Sequence, residues 1–173
     1  LPGGVMSLKP AQFTVIRAAV IAAPAAKALY DADDWSGLRD WLNSPSATTT
    51  NWSSSVAQID CEEAPNYVGY ESLSQGVRDS WRLFISRPRN FTRAKVRNWV
   101  EAIWGTAAAG NNAEKVLKAG AVKTTMAQEA LAINAGLQPV AQSTVSALKL
   151  VYEGQIDDLD AKRIIRTDSG VKA

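Results

Sequence analysis

With 173 residues, 46% of them hydrophobic and 21% charged, the chain has the make-up of a globular protein and lies far from disordered polymers. Nineteen Lys and Arg against 17 Asp and Glu leave a net charge of +2, which excludes polyanion binding by the molecule as a whole and confines it to a local patch. Histidine is absent and Cys61 stands alone, which excludes an internal disulfide and removes the usual zinc ligand and the usual general base near neutral pH. The Ala-rich run 18–28 is broken by Pro24 and Lys27, far short of the roughly 18 apolar residues a membrane span needs, so none is expected. Reducing cytosol is the default compartment. Met6 reads as a natural start, the five residues before it being an addition, a processed end or a misassigned upstream start.

In chain order, Phe13, Ile16, Val20 and Ala23 form a helical stripe behind Pro10, a residue suited to the first helical position. Pro24 opens a second short helix ending near Ala32. Asp33 or Asp34 caps a third, carrying Trp35, Leu38, Trp41 and Leu42 on one face. From Ser44 to Tyr70 the composition turns to Ser, Thr, Asn, Pro and Gly, which predicts a long irregular loop with a minor hairpin at most. Helical period returns at Leu73, Val77, Trp81 and Phe84, stopping before Pro88. Thr92 caps the next helix, with Val96, Trp99, Val100, Ile103 and Trp104 ending at Gly105. Asn111 or Asn112 caps a short helix to Lys118. Thr125 and Gln128 form a capping box before 127–134, closed by Gly136. A further helix is expected to carry Ala141, Val145, Leu148 and Tyr152 and to end at Gly154. The last covers 159–165 and runs into a polar tail. The fold expected is therefore all-α: a compact multi-helix bundle with one long irregular loop. Its parts are an N-terminal extension over 1–9, a helical domain over 10–166 with the loop at 44–70, and a flexible C-terminal tail over 167–173.

No motif carries catalytic chemistry. Asp31, Asp33, Asp34 and Asp40 suggest a calcium loop, but counting from Asp31 the sixth position is Ser36 and the twelfth Leu42, where Gly and Glu are needed. Helix capping explains them, and Asp157, Asp158 and Asp160 likewise make an acidic helix start. Cys61 has no histidine to activate it, and Glu62 and Glu63 oppose a thiolate. No metal, no cofactor and no enzymatic activity are expected. The sequons at Asn51 and Asn90 lack a secretory context.

Two features point to partners. Arg87, Arg89, Arg93, Lys95 and Arg97 fall within eleven residues containing no acid. They straddle a helix start, where each cation opposes the dipole by about 0.3–1 kcal/mol. A solvated basic face is the plain reading; an acidic protein patch or a phosphate backbone is the functional one. In the polar segment, Trp52, Ile59, Tyr67 and Tyr70 are anchors of the kind enriched at interfaces. The segment is read as a contact arm on a neighbouring subunit, with a loop folded back on its own helices as the alternative.

The stretch from Ile21-Ala22-Ala23-Pro24 through Asp33-Asp34 to Trp41-Leu42-Asn43-Ser44-Pro45 resembles the opening of small helical structural proteins of tailed bacteriophages. Leu83-Phe84 with Arg87-Pro88 and Asn90-Phe91-Thr92, then Leu117-Lys118-Ala119-Gly120 through Gln128-Glu129-Ala130-Leu131, are similar to their middle and end, over roughly 11–133. The chain departs from the pattern at 46–70 and beyond Ala135. The resemblance implies a non-catalytic virion or tail-region protein, made in the bacterial host cytoplasm and carried in the particle. Its partners would be other virion proteins and copies of itself. The alternative is a nucleic-acid-contacting helical module using the basic segment 87–97.

Overall fold

The computed structural model describes residues 7–150, 152–166 and 172–173. In chain order the elements are α1 (Pro10–Ala22), α2 (Pro24–Asp31), α3 (Trp35–Asn43), β1 (Pro45–Trp52), α4 (Gln58–Glu63), a 3-10 turn (Tyr70–Ser72), α5 (Gln75–Phe84), α6 (Ala94–Trp104), α7 (Asn112–Gly120), β2 (Ala121–Thr125), α8 (Met126–Asn134), β3 (Val140–Gln142), β4 (Val145–Ala147) and α9 (Asp158–Ile165). Among the described residues helix covers 53% and strand 15%, the strands being ordered as the two-stranded antiparallel sheets β1-β2 and β3-β4. The protein is mixed α/β, which corrects the all-α bundle expected from the sequence. Two compact units make it up: residues 1–49, 123–137 and 150–173, and residues 50–122 and 138–149. Among the described residues no single helix is long and apolar enough to cross a membrane.

Two segments account for the correction. Residues 45–52 carry three consecutive threonines, whose branched Cβ atoms favour extended backbone, and they form β1 where an irregular loop was expected. Residues 140–147 were expected in a helix, because Ala141, Val145 and Leu148 share a face at spacings of four and three. They form a hairpin instead, pairing Val140 with Ala147 and Gln142 with Val145. Val145 and Ala147 are buried and Ser146 between them is exposed, the alternation of a half-buried strand. The Ser143-Thr144 connection places Ser143 at φ +50°, a conformation that a non-glycine residue holds only with outside support. Glu101 of α6 supplies it, accepting from the Ser143 hydroxyl and the Gln142 amide. Burial pushes the Glu101 carboxyl up, but these bonds and one from the Ala107 N–H outweigh it and hold it below its ordinary range.

In the first unit the helix starts follow their caps. Pro10 and Pro24 occupy first helical positions, and α1 and α2 bend by 108° at the break between them, because Pro24 has no N–H to continue the first helix. Asp34 caps α3 by accepting from Gly37 N, Thr125 and Gln128 form the capping box of α8, and Asp157 caps α9, each cap contributing about 1 kcal/mol. Ile16 and Val20 of α1, Leu38 and Leu42 of α3, Leu131 of α8 and Ile164 of α9 pack into one core, joined by Leu8 from the residues assigned to an N-terminal extension. Arg17 donates to the carbonyls of Ile164 at 2.8 Å and Arg163 at 3.0 Å, closing the last turn of α9. Asn43 exchanges two bonds with the Ile156 backbone, at 2.7 and 2.8 Å. Of the expected flexible tail, residues 167–171 lie outside the described residues, and Ala173 N donates to Ile165 O at 2.9 Å.

The second unit packs α5, α6, α7 and the β3-β4 hairpin around Trp52, Trp81, Phe84, Phe91, Val100 and Leu117. Ser74 caps α5 and Asn111 caps α7. Thr92, expected to cap α6, instead donates from its N–H and hydroxyl to Asn90 Oδ1 at 3.0 and 2.6 Å, and the cap position falls to Arg93.

Two substitutions test this packing. A Cβ at Gly120 would overlap the buried Phe91 ring, so Gly120→Ala is expected to lower stability by roughly 1–3 kcal/mol in chemical denaturation. In the first unit the Asp160 side chain is buried and its Oδ2 has no hydrogen-bond partner. Burial first, and Asp157 second, raise its carboxyl above the ordinary value of 3.8. A raised folded value means stability is full below the unfolded value and falls as pH rises through the folded one. Asp160→Asn keeps an oxygen acceptor without the charge, so it is expected to raise Tm at neutral pH and to lose that advantage as pH approaches 4 (about the model-peptide Asp value).

Candidate functional site

The basic segment spans the connection between α5 and the first turns of α6, and the fold splits its five cations into two groups. Arg89 and Arg97 are 6% and 4% exposed. Arg89 donates from Nε to Phe84 O and from Nη2 to Leu83 O, the last carbonyls of α5, and its guanidinium lies over the Phe84 and Trp99 rings at 5.1 and 4.8 Å. Its backbone N–H and carbonyl pair with Val56 at 3.0 and 2.8 Å. Arg97 donates to Phe91 O at 2.6 Å and sits 4.9 Å over Trp52. Burial lowers both guanidiniums from their ordinary value, and for Arg89 the nearby Arg87 charge adds to the shift. These two arginines hold the fold.

Arg87, Arg93 and Lys95 are exposed, and among the described residues none of the ion pairs involves them. With Pro88, Asn90, Val96, Trp99 and the largely buried Arg89 they line an open cleft of about 370 Å³. Trp99 is fixed in its wall by a 2.8 Å bond from its indole N–H to Ser80 Oγ and by edge contact with Phe84 at 5.2 Å. Helix α6 begins at this cleft with no side-chain cap and no acid in its first turn. Its free N–H groups and positive dipole end therefore add to the positive charge of the three side chains.

The apolar residues read as partner contacts also divide. Trp52 is fully buried, its indole N–H donating to Val140 O at 2.8 Å, so it anchors the hairpin. Tyr70 is half-buried, with its ring 5.4 Å from Tyr67 and 6.2 Å from Trp104. Tyr67 is 40% exposed; its hydroxyl donates to Glu62 O at 2.8 Å and accepts from Trp81 Nε1 at 3.0 Å. Asn66 and Asn112 exchange two further bonds of 2.8 Å that pin the same turn. On this rigid base Val68 is 87% exposed, and Ile59 on α4 is 53% exposed. Val68, the most exposed large apolar side chain described, carries no signal in the sequence because it lies in a turn without helical or strand period.

Cys61 is buried, and burial with the neighbouring Asp60 charge pushes its thiol up to about 11. The acidic cluster near residue 31 is spread over separate tasks: Asp34 caps α3, while Asp31, Asp33 and Asp40 pair with Lys27, Arg166 and Arg39. Among the described residues no group of three His, Cys, Asp or Glu side chains is placed to hold a metal ion. The sequon residue Asn51 is buried. No protein-family model, curated protein or solved structure matches the chain.

The division of the arginines has a direct consequence. Lysine cannot span two carbonyls and two ring faces with one ammonium, so Arg89→Lys is expected to cost roughly 1.5–3 kcal/mol of stability, read as a lowered denaturation midpoint. Arg93→Lys, at an exposed position, is expected to leave the midpoint within about 0.5 kcal/mol of wild type.

Proposed function

We propose that the protein is a non-catalytic structural component of a tailed-phage particle, acting through contacts with copies of itself and with other virion proteins. The sequence likeness over residues 11–133 supports the particle assignment. The observation that carries the mode of action is the turn at Tyr67-Val68. Two bonds at the Tyr67 hydroxyl, to Glu62 O and from Trp81 Nε1, and two between Asn66 and Asn112 hold it rigid, while it presents Val68 to solvent beside the partly exposed Tyr67 ring. A large apolar group ordered before binding loses little conformational entropy on docking, which is the economy of a pre-organised contact. The segment therefore works as a fixed knob rather than as an arm that orders on its neighbour, because Trp52 and Cys61 already tie it into its own core.

Light scattering after size exclusion tests the reading. The wild-type chain, 18.6 kDa, is expected to run as an oligomer, and Val68→Asp is expected to reduce its mass towards the monomer with helical circular dichroism unchanged. Mass spectrometry of purified particles from cells carrying the gene is expected to find the chain in stoichiometric amount. A wild-type monomer at high concentration that is absent from particles overturns the proposal.

A further inference from the structure

The geometry points to the cleft at the start of α6 as a binding site for the phosphodiester backbone of a nucleic acid, made by Arg87, Arg93, Lys95 and the uncapped N–H groups of the helix. This goes beyond the structural role, which rests on a different surface. Three exposed cations line one concavity of about 370 Å³, in a stretch without an acid and without an ion pair among the described residues. The helix start they surround lacks both a cap and an acidic first turn. In isolation each of these choices opposes stability; a bound anion satisfies all of them together, by pairing with the side chains and accepting from the orphan N–H groups.

A phosphate polymer fits this lining better than an acidic protein surface. Protein interfaces carry a desolvated apolar centre, whereas the apolar lining here is Pro88, Val96 and Trp99, of which Val96 and Trp99 are already half-buried in their own unit. Apart from Asn90, the remaining lining is cationic, Lys95 with Arg87, Arg89 and Arg93, and such groups position a nucleic-acid backbone without reading its bases. Asn90, the lining residue best suited to read a base edge, has its carbonyl oxygen committed to the Thr92 N–H and hydroxyl. Binding is therefore insensitive to sequence. Arg89 also lines the cleft, but it is 6% exposed and Arg97 4%, and the side-chain bonds both make run to backbone carbonyls inside the unit, so the three exposed cations carry the contact.

Fluorescence anisotropy of the full chain with a labelled DNA duplex of arbitrary sequence tests the site. Three phosphate contacts predict a slope of about −2.7 for log affinity against log salt, a loss of roughly forty-fold between about 50 and 200 mM. The triple variant Arg87→Gln, Arg93→Gln, Lys95→Gln is expected to abolish binding at the low-salt end while keeping wild-type circular dichroism. Lys115→Gln, an exposed lysine of α7 outside the cleft, is expected to bind as wild type. Arg93→Gln alone is expected to reduce the slope by about 0.9. Absence of wild-type binding at low salt overturns the inference. Equal losses from Lys115→Gln and the triple variant also overturn it, as does tighter binding of poly-glutamate than of the duplex.

Discussion

A guanidinium taken out of water needs acceptors for its N–H groups and a polarisable surface for its faces, and Arg89 finds both in a way that organises the second unit. Its side chain takes the last carbonyls of α5, its faces meet Phe84 of α5 and Trp99 of α6, and its backbone forms the bridge to Val56. One residue thus fixes the end of one helix, the angle at which the next departs, and the edge of the preceding segment. Arg97, one turn into α6, makes a smaller version of it, with one carbonyl of Phe91, the ring of Trp52 and an Nε left without a partner, and Trp52 in turn holds the hairpin through Val140. An unpaired buried charge costs several kcal/mol, so these contacts stand or fall together.

That arrangement also shapes the cleft. Because Arg89 and Arg97 turn inward, Arg87, Arg93 and Lys95, at alternate or nearby positions, are left on the outside around the opening of α6. The connection 85–93 carries positive charge for two physical purposes at once, internal hydrogen bonding and external field. Net charge, at +2, conceals this because acidic groups elsewhere balance it. The first unit handles most of its ionic groups differently: Asp34 and Asp157 serve as caps, and Asp31, Asp33, Asp40 and Asp158 pair with basic side chains at the surface, where each pair contributes little. Asp160 stands apart as a buried carboxylate with an unmet oxygen.

The turn at Tyr67-Val68 and the cleft share a design principle. Each offers solvent a group that costs stability or solubility when unpartnered, on backbone and walls that bonds to the rest of the unit hold in place. Indole and phenol groups do the holding in the first case, and indole and guanidinium groups in the second. A rigid support of this kind lets a surface bind without first paying the entropy of ordering.

Local chemistry in the sequence determined where most helices begin and end. Pro10, Pro24, Asp34, Asn111, Thr125 with Gln128, and Asp157 act within three or four residues, and each is found at a helix start. The same short range explains the failures. Residues 140–154 carry a helical spacing and a strand alternation at once, and the choice fell to the distant Glu101 and Trp52, whose bonds hold the hairpin tip and its first strand. Composition alone predicts a loop at threonines 48–50, because their pairing partner, β2, lies some seventy residues away, with Thr49 meeting Thr124. Five cations at 87–97 were visible as a cluster, yet no count of charge separates the two that lie over aromatic rings from the three that face water. That separation depends on which carbonyls and rings the folded chain brings within reach, and only the tertiary structure supplies them.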